Sequence, residues 1–407
     1  VTDSILRDQY EAYPYPARDP RDEAKRLVTG SPSHLAEVNH YLFAGRRDFS
    51  TPFRVLVAGG GTGDATVMLA QQLADAGCPS EVLHVDLSDA SRAIAEARVK
   101  ARGLSNVRFE RLSLLDLPGT GLGPFDYIDC CGVLHHLEDP AEGLRSLEAV
   151  LAPGGGMGVM LYGELGRIGV YHVQGMLGML DDGAAPGPER LALARRLLGQ
   201  LPPTHWLKRN PFVGDHLDGT DAGLYDLLLH RRDRAYKVPE ILDLAAAAGL
   251  GVATFVEPAR YDPASHLTDP RLLERTAALA PAERATFAEL LAGNLKKHVF
   301  YLARPGETDV ADPEDLAAVP LFRDLDGAAW AKSYRAGSNL TASVDGTTFR
   351  FPLPDLAGPL AARVDGRRTL ADIAADMRMD EDRFRKVWRP FFRAFNGLSK
   401  LYLSFPP

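Results

Sequence analysis

Between Phe53 and Gly163 the chain alternates short apolar runs with stretches whose apolar positions recur every three or four residues. The runs are RVLVAG (Arg54 to Gly59), EVLHVDL (Glu81 to Leu87), NVRFERL (Asn106 to Leu112), FDYIDCCG (Phe125 to Gly132) and GMGVMLYG (Gly156 to Gly163). Asp64 to Ala76, Ala90 to Arg102 and Pro140 to Leu151 lie between them and read as amphipathic helices. Strands apolar on both faces and separated by helices predict a parallel sheet covered on both sides, the α/β class.

The alternation stops after Gly163. Residues 166–236 are helical in composition but broken by Pro and Gly, as an insertion would be. Order resumes with a helix over Val238 to Gly249, entered through Pro239, and with strands over Gly251 to Pro258 and Lys297 to Ala303. A second helical insert, about 269–293, separates those strands. One α/β unit over residues 35–304 is therefore expected, behind an N-terminal segment, 1–34, that caps the site. After the Pro- and Asp-rich stretch Arg304 to Pro313, taken as a linker crossed by few contacts, a small α+β domain is expected over 314–407. It begins with a hairpin over Asn339 to Leu353 that turns at Asp345-Gly346, and continues with helices near 356–364, 370–377 and 381–397.

At 407 residues the chain exceeds one ordinary hydrophobic core, which agrees with this division. A net charge of −8 argues against wholesale nucleic-acid binding. No apolar run reaches the roughly 18–20 residues that span a bilayer, so no membrane partner is expected. The opening VTDSILRDQYEAYPYP lacks the basic-then-apolar order of a signal peptide. Of the three cysteines, Cys130 and Cys131 are adjacent and Cys78 is remote, in no metal-ligand spacing. A reducing, cytoplasmic location is the expectation, and oligomeric state is left open.

The chemistry begins at Gly59. Glycines 59, 61 and 63 close the first strand as G-x-G-x-G, and in the dinucleotide register the last position is Asp64, an anion where a pyrophosphate should sit. S-adenosylmethionine (SAM) carries no phosphate, and side-chain-free glycines permit the close backbone approach that its methionine end needs. Asp86, at the tip of the second strand and followed by Leu87, is placed to accept from ribose hydroxyls. Asp116 is placed to accept from an adenine amino group, with the Leu115 N–H donating to a ring nitrogen. Gly132 and Val133 follow the fourth strand at the same rim.

Together VLVAGGGTG, HVDLS, SLLDLP, FDYIDCCGVLHHLEDP and LAPGGGMGVML make residues 53–162 resemble the core of class I SAM-dependent methyltransferases. The resemblance implies a seven-stranded, mostly parallel Rossmann-like sheet completed by Val238 to Ala303, with SAM as cofactor. It also exposes a departure. The position two before the first motif glycine is usually acidic and helps orient the methionine amino group, but here it is Val57, so that contact must be supplied by backbone or from elsewhere.

Methyl transfer is an in-line displacement, and the protein supplies alignment and, for a protonated acceptor, a base. His135 and His136 are the candidates. Tyr13 and Tyr15, with Tyr10, and Arg167, Tyr171 and His172 beyond the fifth strand are candidates to frame the acceptor. Asp215, His216, Asp221, Asp226 and His230 match no zinc spacing, and Asp226 with His230 reads as a surface helix pair, so no metal is expected. The stretch VDGRRTLADIAADM (Val364 to Met377) resembles the small winged-helix domains that hold leader peptides beside peptide-modifying enzymes. A protein or peptide side chain is accordingly the preferred methyl acceptor. A small hydroxylated or amino metabolite is the alternative, and a non-catalytic SAM-binding scaffold is the alternative of another class.

Overall fold

The computed structural model describes residues 2–181 and 187–405. Residues 1, 182–186 and 406–407 lie outside it, so the predicted insert 166–236 and the predicted spans 1–34 and 314–407 are described without them.

The chain opens with α1 (Thr2–Ala12) and α2 (Leu35–Leu42) and then enters β1 (Phe53–Ala58). Next come α3 (Asp64–Asp75), β2 (Ser80–Asp86), α4 (Asp89–Ala101), β3 (Val107–Arg111), β4 (Phe125–Cys131), α5 (Pro140–Glu148) and β5 (Leu151–Tyr162). The first insert supplies α6 (Ile168–Leu180), α7 (Gly187–Gln200), α8 (Trp206–Arg209) and α9 (Asp221–Leu228). The sheet is completed through α10 (Val238–Ala247), β6 (Gly251–Phe255), α11 (Pro270–Ala277), α12 (Pro281–Ala292) and β7 (Lys297–Ala303). Boundaries follow local chemistry. Ser88 caps α4 by accepting from the Ser91 N–H, Asp139 caps α5, and Pro140, Pro239, Pro270 and Pro281 stand in first turns where an N–H is dispensable.

The seven strands run in the order β3-β2-β1-β4-β5-β7-β6, with only β7 antiparallel to its neighbours. This is the Rossmann-like methyltransferase sheet that the sequence implied. Alternate residues of each strand feed two cores. Leu56, Leu83, Ile128 and Val159 pack with Leu144 and Leu147 of α5 and Ile241 of α10. Val55, Val57, Val82 and Tyr127 pack with Val38 of α2 and with Leu69 and Leu73 of α3. Because strand order reverses between β1 and β4, a crevice opens at their C-terminal ends.

The C-terminal segment contains β8 (Val319–Phe322), α13 (Gly327–Ser333), β9 (Asn339–Val344), β10 (Thr347–Pro352), α14 (Ala357–Ala361), α15 (Leu370–Asp376), α16 (Glu381–Gly397) and β11 (Leu401–Ser404). The hairpin forms where Asp345 and Gly346 both adopt positive φ (45° and 80°). The β8–β11 pair is new relative to the sequence reading. Phe349, Leu360, Ile373, Phe384, Trp388 and Phe391 give this segment its own core.

Many bonds nevertheless cross the presumed linker. The Leu403 N–H donates to His40 Nδ1, the Glu257 N–H to Ser399 Oγ, and Asn294 Nδ2 to the Asp345 carbonyl. Glu37, fully buried in α2, accepts from the Tyr301 hydroxyl and from that of Tyr402, and pairs with Arg323 at 2.7 Å. The expectation of few crossing contacts fails because polar groups of α2 find their partners in β11 and in Arg323, just after β8.

Candidate active site

The glycine turn leaves β1 with φ of 68°, 52° and 97° at Gly59, Gly61 and Gly63, values that favour glycine strongly. A β-carbon on Gly59 would sit 2.4 Å from a Val133 methyl, so β1 and the loop after β4 meet there without room for a side chain. Asp86 fixes the turn: its Oδ2 accepts the Gly61 N–H at 2.7 Å and its Oδ1 the Ser88 N–H at 2.8 Å. Burial raises its pKa, and those backbone donors oppose the rise.

A cavity of about 440 Å³ occupies the crevice. Of the residues singled out in the sequence, Val57, Gly59, Gly61, Asp86, Leu87, Gly132, Val133, Tyr15 and His136 line it. The rest of the wall includes Tyr10, Arg18, Asp64, Asp129, Cys131, Met160, Tyr162 and Asp226. The residues present fit SAM: glycine backbone at the cavity surface, a carboxylate at the tip of β2, and on Asp129 a buried carboxylate oxygen with no partner among the described residues.

Several expected residues stand elsewhere. Gly63 is the N-cap of α3, where a β-carbon would press to 2.8 Å from that of Ala95, so its role is to let α3 pack on α4. Leu115 and Asp116 lie outside the wall. The Leu115 N–H caps back onto Ser113 Oγ at 3.3 Å, Asp116 is exposed, and Leu112, Ser113 and Leu114 reach the cavity instead. Tyr13 stacks on Tyr225 with 4.6 Å between centroids. Arg167 is buried under the Tyr162 ring at 3.6 Å from its centroid, paired with Asp233 at 3.2 Å, and its Nε reaches the Tyr171 hydroxyl. His172 is exposed beside His205. None of these four lines the cavity.

The two histidines separate. His135 is buried behind the wall, its ring stacked on Tyr162 at 4.0 Å and both ring nitrogens unpartnered. Burial drives its pKa well down, and with no access to the cavity it is not placed for acid–base work. His136 lines the cavity. Its Nδ1 donates to the Arg232 carbonyl at 2.7 Å, which leaves the Nε2 lone pair for the site, and burial lowers its pKa to about 4.

Asp226 and His230 are both buried, not a surface pair. Asp226 accepts from the hydroxyls of Tyr10 (3.3 Å) and Tyr162 (3.2 Å), and burial raises its pKa to about 7. Donor atoms of His136, Asp226 and His230 lie within 4.8 Å of one another, as do those of His135, His136 and Asp233. The first set is a poor cation cage. His230 Nδ1 accepts the Arg232 N–H at 3.1 Å, so the neutral ring carries its proton on Nε2, the atom facing Tyr10 at 3.2 Å.

The pattern of the methyltransferase domain family matches residues 56–157. The uncharacterized protein syc1184_c of Synechococcus is 31% identical over 305 residues, spanning 72% of this chain and 70% of that protein. The ubiquinone/menaquinone biosynthesis C-methyltransferase UbiE of Proteus mirabilis is 31% identical over 115 residues, 27% of this chain and 43% of the relative. The structure of PKMT2 from Rickettsia typhi in complex with AdoHcy superposes with a TM-score of 0.61 at 16% identity, covering 93% of this chain and 76% of that one. The glycine turn, the Asp86 tip, the sheet order and these matches lead to one conclusion: the chain belongs to the same family as the Synechococcus protein and is a class I SAM-dependent methyltransferase.

Proposed function

We propose that this methyltransferase delivers the methyl group to an amine on a protein or peptide side chain. The observation that carries the reading is the buried Asp226 carboxylate in the cavity wall, with the Tyr10 and Tyr162 phenols on its two oxygens and Tyr15 in the same wall. Aromatic faces around a desolvated carboxylate favour a cationic amine over a neutral or anionic acceptor.

Bound SAM supplies the electrophilic methyl group. The Gly59 to Gly61 backbone would leave room for its methionine end, Asp86 would accept from the ribose hydroxyls, and the Leu112 to Leu114 turn would border the adenine. An amine attacks only with its lone pair free. Asp226, with a pKa near neutrality, takes the ammonium proton on a carboxylate oxygen as the acceptor enters. The phenols of Tyr10 and Tyr162 hold that carboxylate in place. The segment 1–34 acts as the cap through Tyr10 and Tyr15, residues 35–304 as the catalytic unit, and 314–407 as the winged-helix-like module that docks the peptide.

A second reading rests on His136. Its free Nε2 suits deprotonation of a hydroxyl, which favours a small hydroxylated or amino metabolite.

The test is to incubate full-length protein and Asp226→Asn with methyl-labelled SAM, a mixed-sequence peptide library, amine metabolites and hydroxylated metabolites. The expected result is label in peptide amines, at least tenfold slower for the variant while its affinity for S-adenosylhomocysteine (SAH) stays within twofold. Label confined to metabolites selects the second reading, and absence of label from every fraction selects the scaffold.

A further inference from the structure

Four carboxylates line the cavity, and their partners differ. Asp64 is saturated by Arg18, at 2.8 and 2.6 Å, and by Arg98 at 2.7 Å. Both oxygens of Asp86 hold backbone N–H groups, and both of Asp226 hold phenols. Asp129 is different. Its Oδ2 accepts the Ser33 hydroxyl at 2.6 Å, but Oδ1 has no hydrogen-bond partner although the residue is 1% exposed. Cys131 lies close by, yet its thiol is a weak donor outside hydrogen-bonding geometry to that oxygen. A carboxylate oxygen left bare in the interior is costly, and in a cavity wall it marks a group that a ligand completes.

The position says which ligand group. Asp129 stands on β4, in register with Val57 on β1, two residues before the glycine turn. That level of the sheet is where strand order reverses and where Gly59 and Gly132, both at positive φ, bring backbone to the cavity surface. β1 offers no charge there, since Val57 is apolar. SAM presents hydroxyls and ring nitrogens at its adenosine end, and an ammonium and a carboxylate at its methionine end. Of these the ammonium alone is a cation that donates hydrogen bonds.

We infer that Asp129 anchors the α-ammonium group of SAM and of its product SAH, with Oδ1 accepting from the ammonium and Ser33 holding Oδ2. The anchor thus comes from the neighbouring strand, at the level where β1 carries a valine. Burial, opposed by the Ser33 hydrogen bond, lifts the Asp129 pKa to about 6, so its ionised form is only modestly favoured at neutral pH until a cation arrives.

The test is calorimetric and needs no turnover. SAH and its desamino analogue, with the α-amino group replaced by hydrogen, are titrated into full-length wild type and Asp129→Asn, which together form a double-mutant cycle. The wild type is expected to prefer SAH at least tenfold, and the variant less than twofold, with its affinity for the analogue unchanged. If the variant discriminates as strongly as the wild type, or weakens both ligands equally, the proposal is overturned. Discrimination below twofold in the wild type also overturns it, whether or not the variant folds.

Discussion

Asp226 shows how one burial changes a residue's chemistry. Its pKa of about 7 compares with roughly 4 for a free aspartate. Between those values the folded chain holds a proton that the unfolded chain has lost. The group's contribution to stability is therefore complete below about pH 4, falls as pH rises, and is gone above about pH 7. Asn at this position does not titrate. The stability of wild type relative to Asp226→Asn should fall steadily from pH 4 to pH 7 and then level off, by ~1.4 kcal/mol per unit at most. Burial holds His136 and His230 neutral in both folded proteins, so the protonation of their unfolded forms near pH 6.5 affects both alike and cancels in the difference. Urea denaturation at half-unit intervals checks this, and parallel profiles would show that Asp226 is ionised throughout.

At the scale of elements, the two ends of the first insert are tied to each other by a buried ion pair. Arg167, just after β5, meets Asp233, beyond α9, and Gln174 of α6 adds a 2.9 Å bond to the same carboxylate oxygen. The Arg167 guanidinium also supports the Tyr162 ring, whose hydroxyl reaches Asp226. Arg167→Ala would leave the Asp233 carboxylate buried without its counter-charge. A loss of about 3–5 kcal/mol in urea denaturation is expected. A loss below about 1 kcal/mol would show that water reaches Asp233 freely. The sequence singled out Arg167 for the right stretch of chain but the wrong task, because the direction of a side chain leaving a strand end depends on where the insert lands.

For the whole molecule, the C-terminal segment behaves less like an appendage than its polar linker suggested. Tyr402 of β11 packs in the same core as Tyr41 and Tyr301, and Glu37 draws its countercharge from Arg323. Ending the chain at residue 305 strips both. The truncated chain is expected to melt well below the full-length protein or to be insoluble, because the truncation strips Glu37 of its Arg323 and Tyr402 partners and uncovers the core that Tyr41 and Tyr301 share with Tyr402. Thermal melting followed by circular dichroism decides the matter. A melting temperature unchanged from the full chain would show an independent module and restore the picture of a passive linker.

The sequence by itself determined the α/β sheet, the glycine turn and the tip of β2, since apolar runs, glycines and helix caps act over a few residues. The Asp345-Gly346 hairpin was legible for the same reason. Asp129 left a faint signal as a charge inside the apolar run FDYIDCCG. Tertiary structure alone decided which candidates share the cavity. It set His136 in the wall and His135 behind it, brought Tyr10 and Asp226 together from 216 residues apart, and paired α2 with β11. Such contacts depend on how loops and inserts close over the sheet, and no local pattern encodes the meeting of residues so distant along the chain.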